Sequence, residues 1–194
     1  MRWKSTLLAL ALCTGCGGEA TVVPEAGIDP RVAVAEGLLP TPIGRGREFV
    51  PEPATAGPCA AGPVQGRFRA HLELFGRRHA AVIPAGIGLG GPLEREHHRI
   101  VAAGCRAPAR TLDPAGVIDF DRRDLTLGDF FAIWNEPLGP HRMAGFRGPV
   151  SAFVAGHRVP GDPADIPLRD GAQIVLQVGG YVPPHRSFLF PPRP

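Results

Sequence analysis

The sequence predicts an α+β domain, a small mixed or antiparallel β-sheet packed on one helix. Three observations carry this. RFRAHLELFG, residues 67–76, alternates apolar with polar side chains, the period of a half-buried strand. DLTLGDFFAIWNEPLG, residues 124–139, spaces its apolar side chains as one face of a helix does. The last third returns to short alternating runs separated by turn residues. A strand hairpin, a single helix, a second hairpin and a final strand is the element order of a β-grasp sheet, so the expected fold is β-grasp-like.

Each element has its own local warrant. In the first strand Phe68, Ala70, Leu72 and Phe75 form the apolar set, against Arg69, His71 and Glu73. Gly76-Arg77 is the expected turn into a second strand over 78–83. PAGIGLGGP then reads as a loop whose glycines supply positive φ. Its GxGxGG spacing does not make a phosphate loop, because no helical pattern follows it and no Lys-Ser/Thr closes it. GVIDF, 116–120, is another short strand. In the helix Thr126 is the expected N-cap and Asp129 completes a capping box. Leu127, Phe130, Phe131 and Trp134 share one face and belong to the core, and Pro137 ends the run. VSAFV and HRV flank Ala155-Gly156 as a hairpin, and Arg169-Asp170-Gly171 turns into a strand carrying Ile174, Leu176 and Val178.

Outside this core the chain divides by composition. Residues 1–15 have the parts of an export signal: Arg2 and Lys4, a short apolar stretch Leu7–Leu12, then small residues. The stretch is shorter than the roughly 20 residues of a spanning helix. Thr14-Gly15-Cys16 resembles the lipobox of bacterial lipoproteins, although Cys13 stands where that pattern usually has Leu. That resemblance implies lipidation of Cys16, and two acyl chains suffice for stable anchoring. Residues 16–66 carry eight prolines and no lasting period, and are expected to be a Pro/Gly-rich tether with short ordered pieces near Val32–Leu39. Residues 67–180 are the expected domain and 181–194, with five prolines, an extended tail.

An exported compartment permits disulfides. With Cys13 removed and Cys16 lipidated, Cys59 and Cys105 remain, either bridged or as two free thiols. A bridge would contribute roughly 3–4 kcal/mol in the chain-entropy model.

Several chemistries lack their residues. Arg2 and Lys4 apart, 19 arginines face 18 Asp plus Glu with no basic run, which argues against nucleic acid as a partner. Beyond the signal there are two serines, Ser151 and Ser187, and no GxSxG elbow. Beyond the signal no CxxC occurs, and the sequence has no HExxH. Asp119, Asp121 and Asp124 cluster at a strand end, where solvation is the plainer reading than carboxylate catalysis. His97-His98 in EREHHRI reads as a polar surface loop, because adjacent side chains point apart.

FRAHLELF, VIPAGIGLG, CRAPARTLDPAGVIDF, LTLGDFFAIWNEPLG, VAGHRV and DIPLRDGAQIVLQVG occur in that order over roughly residues 59–191. Together they resemble a poorly characterised family of exported bacterial and archaeal domains. Its members read HIHAHLxIFVNG, IPAGIGI, C-x-YWLHTHDxxGxIH, FTLGxFFxIWGxPL and a VNGK hairpin. The family's histidine-rich pieces look like metal ligands or a polar buried cluster, since imidazoles converging from two strands suit a transition metal. In this chain His71 matches the second histidine of HAH and Arg69 stands at the first. Cys105, Thr111 and Asp113 match, Arg110 and Leu112 replace two histidines, and Asp119 replaces the one after the GxI strand. An arginine cannot ligate a cation. The resemblance therefore implies a degenerate site, with His71, Asp113 and Asp119 as the remaining metal candidates and Arg69 and Arg110 as a polar cluster paired with Asp113 or Asp119. FVAGHRVPGDPADIPLRDGAQIVLQVG also looks like the C-terminal half of small ubiquitin-like sulfur carriers, which bears on fold only.

The expectation is an exported, membrane-anchored cell-envelope lipoprotein with a non-catalytic binding domain and no cofactor. Its partners are the membrane, through the lipid, and an envelope protein or small ligand. The runner-up is a copper- or zinc-binding protein using His71, Asp113 and His97 or His98.

Overall fold

The computed structural model describes residues 41–192. The signal, Cys16 and Val32–Leu39 lie outside the described residues. Within them the elements are β1 (Phe68–Gly76), β2 (His79–Ala81), β3 (Leu89–Glu96), β4 (Arg99–Arg106), β5 (Ala109–Thr111), β6 (Val117–Phe120), α1 (Leu127–Trp134), β7 (Leu138–Gly139), β8 (Arg142–Met143), β9 (Phe146–Arg147), β10 (Val150–Val154), β11 (His157–Val159) and β12 (Gln173–Val178). A short 3-10 turn spans Pro163–Asp165. The class is α+β, strand-rich with one short helix. No helix among the described residues is long and apolar enough to cross a membrane.

The main sheet runs β11-β10-β12-β1-β6-β5, with β2 also on β1. β1 and β12 are parallel, in register from His71 opposite Gln173 to Gly76 opposite Val178. The other neighbours are antiparallel. On its far side β1 changes partner, from β6 over Phe68–His71 to β2 over Leu74–Gly76. β3 and β4 form a separate two-stranded arm, and β7-β8-β9 a small meander.

One face of the sheet meets α1. The helix has the capping box expected of it: Thr126 Oγ1 accepts from Asp129 N, and the Asp129 carboxylate accepts from Thr126 N. Leu127, Phe130, Phe131 and Trp134 are all buried against Ala70, Leu72, Leu74, Ile118, Ile174 and Leu176. The helix ends at Trp134, three residues before Pro137, and the cap residue Asn135 turns left-handed at φ 60°.

The other face departs from expectation. A half-buried β1 would leave Arg69, His71 and Glu73 facing water. Instead β1 is buried on both faces from Ala70 onward. Residues 181–192, without regular secondary structure, fold back across that face, and Val182, Phe188 and Phe190 pack with Phe75, Phe153 and Val175. Gln177 fixes the start of this tail by a pair of bonds with Val182, donating to its carbonyl and accepting from its N–H.

The tether also needs correction over its second half. Residues 41–66 are a strap bound around the domain. Phe49 is buried in the main core and meets Phe146 edge-on at 4.9 Å. Trp134 Nε1 donates to Glu52 O at 3.1 Å, Ala56 N to Ile133 O at 2.8 Å and Gly88 N to Ala54 O at 3.0 Å. Val64 is buried against Leu89, Ile100 and Leu112. A strap of this kind is held by main-chain bonds and isolated anchors, so it has no hydrophobic period to read.

Cys59 and Cys105 are bridged, with Cα atoms 5.4 Å apart, and the bond ties the strap to β4. Two hairpins differ from expectation in detail. The β1–β2 turn is Arg77-Arg78, at φ 50° and 68°, while Gly76 stays in the strand. A Cβ on Gly76 would sit 2.1 Å from the Phe146 ring, so the glycine is needed for close approach, and Arg77 is held by Glu48 and by the faces of Phe49 and Phe146. The loop after Pro84 leads directly into β3, and the β3–β4 hairpin turns at exposed His97-His98.

Two measurements test the strap and its bond. Phe49→Ala is expected to cost about 3–5 kcal/mol in denaturant unfolding, as a core phenylalanine would; a cost near zero would restore the tether. Cys59→Ala with Cys105→Ala is expected to lose roughly 3–4 kcal/mol by the same assay.

Candidate functional site

The sheet face under the tail collects the polar side chains of the two central strands. His71 and Glu73 of β1 and Gln173 of β12 are buried there with His185 of the tail. Adjacent parallel strands place His71 beside Gln173 by register. His71 Nδ1 lies 2.6 Å from Gln173 Oε1 and its Nε2 lies 2.8 Å from Ala115 O. Gln173 Nε2 donates to Glu73 Oε2 at 2.9 Å. His185 Nδ1 reaches the same carboxylate at 2.7 and 2.8 Å. The Phe188 ring stacks on His71, centroids 3.7 Å apart and 6° from parallel. A void of about 30 Å³, bounded by His71, Glu73, Ala80, Ala81 and Pro114–Gly116, lies where β1 passes from β6 to β2. It has room for a water or two.

A second polar group lies toward the start of β1. Arg69, Asp119 and Arg110 are direct cross-strand neighbours on β1, β6 and β5. Their pairing is not the one expected. Arg110, fully buried, forks onto Asp121, with Nη1–Oδ2 2.8 Å and Nη2–Oδ1 3.1 Å. Its remaining donors bond Val64 O, Gln65 O and Ala107 O. Arg110 thus satisfies its fork by fastening the strap to β5. Asp113 pairs with Arg99 at 2.6 Å and accepts from Ala115 N at 3.1 Å. Arg69 donates to Pro191 O at 2.8 Å and stacks over Phe190.

The two carboxylates, Asp119 buried and Asp121 partly so, titrate in opposite directions. Burial pushes the Asp119 carboxyl up, against the Gly66 N–H and the charges of Arg99, Arg110 and Arg69. Its Oδ1 accepts from Gly66 N at 2.8 Å and its Oδ2 has no hydrogen-bond partner. Burial would also raise Asp121, but the Arg110 bonds and charge, with Arg106 behind them, hold it below the usual range.

The three metal candidates are therefore not assembled as ligands. Both nitrogens of His71 are hydrogen-bonded, Asp113 is paired with Arg99, and Asp119 faces arginines. Among the described residues no group of three or more His, Cys, Asp or Glu is placed to hold a metal. His97 and His98 are separated from His71 at the arm's exposed tip. Sequence reasoning missed Glu73, Gln173, Gln177 and His185. The signal was present: Gln173 and Gln177 alternate with Ile174, Leu176 and Val178, so β12 carries a polar face beside the polar face of β1.

Compared with known proteins, the chain matches no family model, no curated protein and no solved structure.

Arg110→Ala is expected to destabilise by about 3–5 kcal/mol, because it removes a fully buried fork and strands three carbonyls, while Asp121 keeps its pair with Arg106. The acid limb separates the two aspartates. A lowered folded value means that Asp121 contributes stability present above the ordinary carboxylate value, about 3.9, and lost as pH falls through the folded one. The raised value of Asp119 means the reverse: stability is fullest below the ordinary value and declines as pH rises to the folded one. Asp121→Asn should flatten the acid loss, and Asp119→Asn should remove the decline and stabilise at neutral pH, both read from urea unfolding across pH 3–7.

Proposed function

We propose that this chain is an exported lipoprotein, anchored by Cys16 at the membrane surface of the cell envelope, whose domain binds a protein or small ligand without catalysing a reaction. One observation carries the non-catalytic reading. The side chains that would do chemistry, His71, Glu73, Asp113 and Arg110, are each engaged in bonds that hold the strap or tail on the sheet or close a loop on it. A reacting group needs a free lone pair or an open approach to substrate. The Cys59–Cys105 bond supports the oxidising compartment that export supplies.

The domain is proposed to be β-grasp-like. Support comes from strand order: the first hairpin β1–β2, then α1, then the hairpin β10–β11, with β12 inserted parallel to β1 between them. The proposed kinship with the exported family rests on the order of its motif words, which fall on β1, the β2–β3 loop, β4 to β6, α1 and β10 to β12. For binding, the support is the outer strand β11 and a groove of about 330 Å³ beside it, lined by Val154, Val159, Ile166, Pro167 and Ala172. The metal reading is not carried forward, since His71 has no nitrogen to offer in this arrangement.

Two experiments test the proposal. Cys16→Ser is expected to move the protein from the membrane fraction to the soluble one and to abolish palmitate labelling; unchanged membrane retention overturns the anchor. Titration of the purified protein with Cu²⁺ and Zn²⁺ is expected to show no site tighter than about micromolar. A tighter site lost in His71→Gln would reinstate the metal reading.

A further inference from the structure

The bonds around His71 have a proton count that does not match separate side chains at neutral pH. Ala115 O can only accept, so Nε2 must donate. Nδ1 faces Gln173 Oε1, which also only accepts, so as drawn His71 carries two protons and is a cation. Gln173 then gives its amide hydrogen to an ionised Glu73. The amide of a glutamine is assigned from its network. Turned over, its NH₂ would face Nδ1 and its oxygen would face Glu73. His71 would then be neutral, and Glu73 would have to carry a proton to donate. In both arrangements His71 and Glu73 together hold two protons. Separated in water at pH 8 they would hold one, since an ordinary histidine gives up its charge near 6.5 and a glutamate near 4.3.

We propose that this extra proton locks the C-terminal tail onto the sheet, and that its loss as pH rises releases residues 181–192. The tail touches both members of the pair. Phe188 stacks face-on against His71, a contact that an imidazolium strengthens. His185 donates Nδ1–H to Glu73. When the proton leaves, one lone pair is left facing another, either at His71 against Gln173 or Ala115 or at Glu73 against Gln173. The arrangement has to open at the ring that Phe188 covers. The void at Ala80, Ala81 and Pro114–Gly116 borders both His71 and Glu73 and has room for a water beside the pair.

The charged surroundings are mixed, so the lock is local. Arg69 and Asp119 stand further toward the start of the ladder, opposite one another. Asp113 lies behind Ala115, whose N–H it accepts, and is paired with Arg99. From the tail come His185 and, nearby, Arg186, whose side chain lies against Gly156. β12 presents the neutral amides Gln173 and Gln177.

The test is NMR of the full-length chain across pH 5–9. Long-range ¹H–¹⁵N spectra read the His71 nitrogens, the side-chain ¹³C shift reads Glu73, and the Phe188 ring reads docking. The expected result is two protons on the pair at pH 7 with the tail docked. Above the midpoint the ratio of released to docked tail should rise about tenfold per pH unit, the slope of one linked proton. Phe188→Ala, which frees the tail without touching the α1 core, should shift the pair's proton loss to lower pH, since linkage is reciprocal. One proton on the pair with the tail docked at pH 7 overturns the proposal. So does a Phe188 signal that stays docked while the proton is lost, or an unshifted midpoint in Phe188→Ala.

Discussion

The central pair β1 and β12 is buried on both faces, yet one of those faces is polar. That constraint organises the molecule. A polar side chain taken out of water without a partner costs roughly 1–3 kcal/mol, and a charged one more. The sheet meets this by pairing His71 with Gln173 across the ladder and by drawing the tail over them, so that His185 completes Glu73 and Phe188 covers His71. The two parallel strands need the tail, and the proline-rich tail needs their side chains, because its prolines have no N–H with which to join a ladder.

The strap solves the same problem at the other end of β1. Gly66 N bonds Asp119, and Arg110 gathers Val64 O, Gln65 O and Ala107 O around its ion pair with Asp121. Arginine suits this place because its planar fork satisfies a carboxylate and several carbonyls at once. The disulfide fixes the strap a few residues earlier. Both the strap and the tail are therefore held by isolated anchors, polar and apolar, and the domain extends on each side beyond what hydrophobic periodicity marks out.

That explains what was legible in the sequence. The α1 capping box, its four buried side chains, the β10–β11 hairpin and the entry into β12 all follow from local rules that act within a few residues. The Cys59–Cys105 pairing followed from counting cysteines once two were assigned to the export signal. The strap and tail were not legible, because proline-rich chain acquires order from partners far away in sequence: Glu52 from Trp134, Gly66 from Asp119, His185 from Glu73. The arm β3–β4 was missed for a related reason. Most of β3 is exposed, so GGPLERE has no buried face to impose a period of two. The alternation in β1 was read correctly as a period and wrongly as exposure. Period reports which residues share a face, and only the remainder of the chain decides whether that face is covered.

The same distinction bears on the candidate site. A histidine, two aspartates and two arginines in one short region look like the residue of a reactive centre, and the resemblance to histidine-rich motifs points the same way. Hydrogen-bond geometry separates the cases. A ligand or general base keeps a lone pair directed at open space, whereas His71 directs both nitrogens at protein oxygens and Arg110 turns its whole fork inward. The guanidinium at residue 110 cannot ligate a cation, and it is a fastener with the reach to bind the strap. His71 and Glu73, joined through Gln173 and covered by Phe188 and His185, thus serve closure of the fold.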